Sequence, residues 1–294
     1  MNWKLYNGYE KNSGNLTTIN RLSILLKLEI TNEIEDNIIG IHIIKFGLKV
    51  YDKKINYGLI VGGTDIYDEA NFLYNRKEVL DNAKFIVVFN KYMLNRVLNL
   101  SDNQNVFEIK QSFIPITINK TPNLLLNVYQ ERPFKKVYLF IGNLREIKDP
   151  FYLKNVFDYL YEKYKYLLVI IGNNDNYDKS LFTNGYYYLG SLDYKLTLTQ
   201  LLYCDGLINS SINEGMSSAI IEALYYKVPV FARENEGNCA FENIIIYNSP
   251  DHLMNILMYN FDYNQIINNG KIEYLLNHHP LTEKFKYESI LSLI

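Results

Sequence analysis

The sequence predicts an α/β protein built from two Rossmann-like domains. Short apolar runs of strand length alternate with stretches of helical periodicity in both halves of the chain. Several of these runs end in glycine and polar residues, the pattern of parallel strands whose carboxyl ends adjoin a ligand site. The 294 residues leave room for two domains of ordinary size, and a hydrophobic content of 48% is enough for two buried cores.

The composition excludes several functional classes. Thirty basic and thirty-two acidic residues leave a net charge of −2, so we expect no general attraction to nucleic acid or anionic membranes. The two cysteines, Cys204 and Cys239, form neither a disulfide framework nor a zinc site, which indicates a reducing compartment. No apolar run has the length of a membrane span, and the N-terminus has no apolar signal region. We therefore expect a cytoplasmic protein with no metal site.

Residues 1–118 are predicted to form the first domain. Its apolar runs and helical patterns follow one another as expected for a parallel sheet covered by helices. Residues 119–134, which contain two prolines, are predicted as the linker to the second domain. The predicted strands are 3–6, 38–44, 57–61, 84–90 and 105–110, and the predicted helices begin at Gly14 and cover 67–81 and 91–99.

Four residues of this domain are candidates for an acceptor or cleft site. Gly14 and Asn15 lie in a strand-to-helix turn, where backbone N–H groups face a ligand, although glycine and asparagine mark most turns. His42 lies inside the predicted strand 38–44, where a histidine is more often a core residue than a catalytic one. Asp65 follows the predicted strand 57–61 in the turn Gly-Gly-Thr-Asp, at a strand end where ligands bind.

Residues 135–277 are predicted to form the second domain, and residues 278–294 a terminal helix. Strands and helices again alternate, as in a nucleotide-binding sheet. The predicted strands are 135–142, 167–171, 186–189, 206–208, 228–232 and 244–246, and the predicted helices begin at Pro150 and near Gly215 and cover 195–204, 250–261 and 265–276.

Two cations follow the first strand of the second domain. Arg145 and Lys148 lie in the loop between Gly142 and Asp149, and Asp149 is predicted to cap the next helix. Arginine can hold a diphosphate through two parallel hydrogen bonds, and lysine contributes a point charge. The loop therefore predicts a diphosphate site, and the alternative is a solvated charged loop.

Two glutamates stand on either side of a predicted helix start. Glu214 lies in the loop and Glu222 about two turns into the helix, with seven residues between them. The free N–H groups and the positive dipole end of the helix start suit a diphosphate. The alternative is that a serine caps an ordinary helix and that both glutamates are solvated. The residues that open the helix are Gly215, Met216, Ser217 and Ser218.

The stretch 206–242 resembles the Glu-x7-Glu signature of the retaining family-four (group 1) glycosyltransferases. Four patterns in the first half are similar to the glycosyltransferase-1-domain-containing subgroup of that family: SGNxxTxxR at 13–21, Ile-His at 41–42, Gly-Gly-Thr-Asp at 62–65 and the segment 111–116. The resemblance covers most of the chain and bears on the fold more than on the substrate. The similar positions around the signature are Ser210, Glu214-Gly215, Glu222-Ala223, Pro229-Val230 and Gly237-Asn238.

The resemblance implies the GT-B architecture, in which two Rossmann-like domains face each other and a C-terminal helix crosses back to the first. It implies that Glu214 contacts hydroxyls of the donor sugar, that Glu222 binds the nucleotide ribose, and that Arg145 and Lys148 bind the donor diphosphate. Two positions depart from the pattern: many members carry arginine where this chain has Asn143, and Arg145 fits only the pattern of the subgroup. The implied partners are a UDP- or GDP-linked sugar, as substrate and without any other cofactor, and an unidentified acceptor that is a glycan, a protein or a small molecule.

We therefore expect a hexosyl-type glycosyltransferase that retains the anomeric configuration. No convincing base for attack from the opposite face is present, since His42 is predicted inside a strand and Glu214 beside the expected diphosphate. Arg145, Lys148 and the helix N-terminus supply positive charge, so no divalent metal is expected. The alternative is a catalytically inactive nucleotide-sugar-binding or assembly subunit, because the first domain is short for this fold.

Overall fold

The chain divides into two compact units, and each combines separate segments of the sequence. The first contains Met1–Ile114, Glu214–Met216 and Asn277–Ile294, and the second contains Pro115–Asn213 and Ser217–Leu276. The computed structural model describes residues 3–9, 14–67, 75–118, 121–174, 177–259 and 263–294.

The described residues form twelve strands in two parallel sheets of six. The strands coincide with the apolar runs because helices cover both faces of an all-parallel sheet. The two-residue strand at 30–31 was not predicted, since it is too short to give a periodic signal. The strands are β1 (Lys4–Tyr6), β2 (Ile30–Thr31), β3 (Ile38–Ile41), β4 (Tyr57–Ile60), β5 (Phe85–Val88), β6 (Val106–Glu108), β7 (Lys136–Ile141), β8 (Tyr166–Ile171), β9 (Tyr186–Gly190), β10 (Gly206–Asn209), β11 (Val230–Arg233) and β12 (Ile245–Tyr247).

Twelve α-helices lie in the described parts of the chain. The predicted helix 67–81 corresponds to two short helices on either side of residues 68–74, which lie outside the described residues, as does Ser13. The helices are α1 (Gly14–Leu26), α2 (Leu48–Val50), α3 (Gly63–Tyr67), α4 (Arg76–Asp81), α5 (Lys91–Leu100), α6 (Leu125–Glu131), α7 (Lys154–Tyr164), α8 (Tyr194–Leu201), α9 (Ser218–Tyr225), α10 (Pro250–Met258), α11 (Tyr263–Asn277) and α12 (Pro280–Leu293).

The sheet of the first unit has the order β2-β1-β3-β4-β5-β6. The chain runs from β1 to β2 at one edge and then returns to β3 on the other side of β1, so the direction of winding switches between β1 and β3. Parallel sheets bind ligands outside the carboxyl ends of their strands at such a switch point. The segments that leave β1 and β3 lead to Gly14 and to His42, two of the residues selected from the sequence.

His42 lies after β3 and not inside it, so the predicted strand 38–44 is too long. The backbone of His42 takes φ 82° and ends the strand, and a π-helical turn follows at Ile43–Gly47. The apolar run continues past the strand because Ile43 and Phe46 of this turn are themselves buried in the core. Hydrophobicity alone does not distinguish this buried turn from a longer strand.

The sheet of the second unit has the order β12-β11-β10-β7-β8-β9, which is the Rossmann order when read from β9. Its switch point lies between β7 and β10. Aromatic rings fill the core beside these two strands: the ring of Tyr138 lies 5.9 Å from that of Phe157 and 6.0 Å from that of Phe231. This packing fixes the carboxyl edge of the sheet on which the candidate donor residues lie.

Asp149 does not cap a helix, contrary to the prediction. A single 3₁₀ turn at Glu146–Lys148 ends at Asp149, whose backbone is left-handed with φ 41°. Helix α7 begins five residues later, at Lys154, with Leu153 as its N-cap. The side chain of Asp149 is used in a tertiary contact instead, which local capping rules do not reveal.

The terminal helix α12 belongs to the first unit and packs on α1. A buried ion pair joins the two helices: Arg21 Nε and Nη2 donate to Glu283 Oε2 and Oε1, each at 3.0 Å. The N–H of Ser112 also donates to Glu283 Oε2, at 3.0 Å. Glu283 thus links three segments of the first unit that are distant in sequence.

Candidate functional site

The loop of Arg145 and Lys148 is anchored to the carboxyl end of β10. The hydroxyl of Ser210 donates to the carbonyl of Lys148 at 3.0 Å and to that of Asp149 at 2.8 Å. The N–H of Ile212 donates to the carbonyl of Ile147 at 2.9 Å. Arg145 is exposed and Lys148 is half-buried. These bonds hold the backbone of the cationic loop at the switch point between β7 and β10.

A third cation at this edge was missed by the sequence analysis. Arg233, the last residue of β11, donates from Nη1 to Asp149 Oδ2 at 2.8 Å. Its guanidinium carbon lies 3.7 Å from the centroid of the Tyr152 ring, a cation–π contact. The sequence could have indicated Arg233 by its position at the end of a predicted strand. Its contact with Asp149 is evident only from the fold. Arg233 therefore braces the cationic loop from the neighbouring strand.

Gly142 leads from β7 into this loop, and its N–H donates to the carbonyl of Ile171 at 2.9 Å. Gly172 occupies the equivalent position after β8, and a Cβ atom there would collide with the carbonyl oxygen of Gly142. The ends of β7 and β8 can approach this closely because Gly172 has no side chain. The approach brings backbone groups to the carboxyl edge of the sheet.

Helix α9 starts at the same edge, and polar side chains surround its first turn. Ser217 is the N-cap, but its side chain makes no capping hydrogen bond, and Ser218 is exposed. Asn209 Nδ2 donates to the Ser217 hydroxyl at 3.4 Å, and Asn238 Nδ2 donates to Asn209 Oδ1 at 3.2 Å. The alternative that a serine side chain caps an ordinary helix is therefore wrong for Ser217.

Glu222 is buried inside the second unit with 4% of its surface exposed. The alternative that it is solvated is therefore wrong. Its Oε1 accepts a hydrogen bond from the hydroxyl of Tyr194 at 2.9 Å. Tyr194 is the first residue of α8 and was not selected from the sequence, although the N-cap Asp193 marks the helix start. A buried carboxylate with a hydroxyl partner suits the recognition of other hydroxyl groups.

Three further residues of the predicted site, Glu214, Gly215 and Met216, fall in the first unit. Asn90 Nδ2 donates to the carbonyl of Gly215 at 2.6 Å. Gln111 donates from Nε2 to the carbonyl of Met216 at 3.3 Å. All three residues are buried, so Glu214 is not solvated either. Asn90 and Gln111 were not selected, because neither lies in a local motif.

His42 and Asp65 form a second buried cluster, in the first unit. His42 Nδ1 accepts from the N–H groups of Ile44 and Lys45 at 3.2 and 3.4 Å, so in the neutral ring the proton is on Nε2. Asp65 Oδ2 accepts from the N–H of Ile43 at 2.6 Å and lies 3.6 Å from His42 Nδ1. Burial raises the pKa of Asp65 and lowers the pKa of His42, although each group opposes the shift in the other.

Gly14 is the first residue of α1 and is exposed, and Asn15 follows it half-buried. The hydroxyl of Thr18 donates to the carbonyl of Gly14 at 3.1 Å and to Gln111 Oε1 at 3.2 Å. Thr18 thus connects the start of α1 to Gln111, which also donates a hydrogen bond to the carbonyl of Met216. The seven predicted site residues of the first unit are therefore Gly14, Asn15, His42, Asp65, Glu214, Gly215 and Met216.

No group of three or more histidine, cysteine, aspartate or glutamate side chains in the described ranges is arranged to hold a metal ion. None of the helices in the described part of the chain combines the length and apolarity that a bilayer span requires.

Comparison with known proteins confirms the resemblance to the group 1 glycosyl transferases. Residues 125–243 match the family model of the group 1 glycosyl transferases. The chain is 26% identical over 279 residues to glycosyltransferase 1 domain-containing protein 1 of Xenopus tropicalis, and the match covers 85% of this chain and 80% of that protein. The family match supports nucleotide-sugar-dependent glycosyl transfer.

Solved structures confirm the GT-B fold. Anabaena HepE in complex with UDP superposes with a TM-score of 0.77 at 13% identity, over 100% of both chains. A mutant of S. aureus TarM in complex with Fondaparinux, alpha-GlcNAc-glycerol and UDP superposes with a TM-score of 0.65 at 14% identity, over 86% of this chain and 55% of TarM. The present chain therefore spans about half the length of TarM.

Proposed function

Since residues 125–243 match the group 1 glycosyl transferases, we propose that the protein moves a hexosyl group from a nucleotide-diphosphate sugar to an acceptor with retention of configuration. One observation carries the proposal. The anchored loop of Arg145 and Lys148, the start of α9 and the buried carboxylate of Glu222 lie at the carboxyl edge of one Rossmann sheet, beside its switch point.

Arg145, Lys148 and the first turn of α9 bind the donor diphosphate in this proposal. The hydrogen bonds from Ser210 and the brace of Arg233 hold the loop in place before a ligand arrives. Preorganised positive groups stabilise the charge that develops on the leaving diphosphate without having to reorganise. The same charges make a divalent metal unnecessary, which is part of the proposal.

Glu222 accepts from ribose hydroxyls, and Glu214 accepts from hydroxyls of the transferred sugar. Both roles follow from the family resemblance. Both carboxylates are buried, and hydrogen bonds to hydroxyl groups are stronger in a site shielded from water. HepE and TarM are both described with UDP, so UDP is our first candidate for the leaving nucleotide.

His42 donates a hydrogen bond from Nε2 to a hydroxyl of the sugar or the acceptor. Its Nδ1 accepts from backbone N–H groups and burial lowers its pKa, so the neutral ring has a fixed tautomer with a proton on Nε2. Such a ring does not offer a free lone pair to an incoming hydroxyl. This arrangement favours transfer on the front face over inversion.

In front-face transfer, the bond between the anomeric carbon and the diphosphate oxygen breaks. The acceptor oxygen forms its bond to the same face of that carbon, and its proton goes to the departing phosphate oxygen. No protein base is needed, because the leaving group itself takes the proton. Arg145 and Lys148 stabilise the diphosphate throughout.

Thermal unfolding with UDP, GDP and their sugars tests the donor site. A ligand at about one hundred times its Kd adds about 2.7 kcal/mol of stability. Lys148→Ala should weaken binding of the nucleoside diphosphate by about 1.5–3 kcal/mol, the usual loss for a charged hydrogen bond. Lys163→Ala is the matched control, because Lys163 is exposed and pairs with the adjacent Glu162.

Unchanged nucleotide binding in a folded Lys148→Ala protein would refute the diphosphate assignment. Slow hydrolysis of the donor without an acceptor separates an enzyme from a binding subunit, because only a catalyst breaks the glycosidic bond. A parent protein that binds the donor but never hydrolyses or transfers it would support the binding-subunit alternative.

A further inference from the structure

Tyr194 makes a specific contact to the candidate ribose-binding carboxylate. Its hydroxyl donates to Glu222 Oε1 at 2.9 Å, from α8 to α9. Tyr194 is exposed, with 46% of its surface accessible, whereas Glu222 is buried, with 4% accessible. The contact therefore connects a buried acid to a residue at the surface of the second unit.

The start of α8 is held in place independently of this contact. Asp193 is the N-cap, and its side chain accepts from the N–H of Leu196 at 2.8 Å. The hydroxyl of Thr197 donates to the Asp193 carbonyl at 3.0 Å. Because the helix start has its own capping bonds, loss of the Tyr194 hydroxyl should leave α8 intact.

We infer that Tyr194 is a positioning residue that orients the Glu222 carboxylate for the ribose hydroxyls of the nucleotide. A carboxylate has about four acceptor directions on its two oxygens. The Tyr194 hydroxyl takes one direction on Oε1 and restricts rotation of the carboxylate, which orients it toward the 2′- and 3′-hydroxyls of the ribose. This inference rests on the proposed function, because it assumes a nucleotide at Glu222.

The positioning role predicts which nucleotides will bind more weakly when the Tyr194 hydroxyl is removed. If Tyr194 acts through Glu222 on the ribose, the loss of its hydroxyl weakens the binding of nucleotides that carry both ribose hydroxyls. A 2′,3′-dideoxy nucleotide has no ribose hydroxyl for Glu222 to bind, so its affinity should not change. A hydroxyl that only stabilises the fold, or a ring that contacts the base, would affect both ligands equally.

Titration calorimetry of the full chain with UDP and 2′,3′-dideoxy-UDP tests this. Tyr194→Phe keeps the ring and removes only the hydroxyl, and we expect UDP to bind about three- to tenfold more weakly, the range for one hydrogen bond. Binding of dideoxy-UDP should be unchanged. Tyr203→Phe is the matched control, since Tyr203 follows the same helix and is exposed to a similar extent; it should bind both nucleotides as the parent does.

The Glu222→Gln background supplies a second readout. Adding Tyr194→Phe there should cause little further loss for UDP, because the hydroxyl acts through the carboxylate. Three outcomes would each overturn this inference without affecting the proposed function. They are equal losses of affinity for both nucleotides, unchanged or tighter UDP binding in Tyr194→Phe, and fully additive losses of UDP affinity when Tyr194→Phe is combined with Glu222→Gln. Absence of binding of either nucleotide to the parent would overturn the proposed UDP site and this inference with it.

Discussion

The buried ion pair between Arg21 and Glu283 gives a strong stability prediction. The side chains are 8% and 1% exposed, and two hydrogen bonds of 3.0 Å join them. Replacing Glu283 by alanine leaves the guanidinium of Arg21 buried without its counter-charge, and it also removes the acceptor of the Ser112 N–H. Breaking such a pair from one side costs about 3–5 kcal/mol.

This loss is large against the total stability of a folded domain, which is about 5–15 kcal/mol. Glu288→Ala is the matched control on the same helix. Glu288 forms an exposed pair with Lys284 at 3.6 Å, and such pairs contribute about 0.3–0.5 kcal/mol. The double change Arg21→Met with Glu283→Leu should lose less than Glu283→Ala, because it leaves no unpaired charge in the core.

Urea unfolding followed by tryptophan fluorescence measures these losses. Trp3 is the only tryptophan of the sequence. It is buried in the first unit, 5.3 Å from the ring of Phe85, so its emission reports on the unit that contains the ion pair. If Glu283→Ala shifts the Trp3 transition no further than Glu288→Ala does, the pair does not stabilise the first unit and the reasoning is wrong.

Two predictions concern the chemistry of transfer. NMR of the first product formed from an α-linked donor should show an α-linkage, and a β-linked product would refute front-face transfer and indicate His42 or Asp65 as the base. Activity should persist in a chelator, since Arg145, Lys148 and the start of α9 supply the positive charge; loss of activity that magnesium or manganese restores would contradict this.

Periodicity along the chain was sufficient to predict the two-domain architecture. Buried parallel strands are apolar on both faces, and helices repeat every 3.6 residues. The strands β7 and β8 and the helix α9 can therefore be recognised from the local pattern of apolar residues in their own segments. The same segments place the candidate site at the carboxyl edge of the sheet, because glycine and polar residues follow these strands. Glu222 was selected as a candidate from its spacing relative to Glu214.

Local backbone geometry was harder to predict. The run from residue 38 to 44 is uniformly apolar apart from its histidine. The backbone nevertheless turns at His42, where Asp65, twenty-two residues after Ile43, accepts the N–H of Ile43. Asp149 has the chemistry of an N-cap but lies in a left-handed turn, where Arg233 pairs with it. In both cases a distant partner overrode the local preference.

The sequence by itself determined the alternation of strands and helices, the two glutamates and the cationic loop. Only the tertiary structure decided which side chains pair: Tyr194 with Glu222, Arg233 with Asp149, and Arg21 with Glu283 across 262 positions. The physical reason is that secondary structure depends on periodicities within a few turns. The partner of a buried polar group is instead chosen by whichever donors and acceptors the fold brings within about 3 Å.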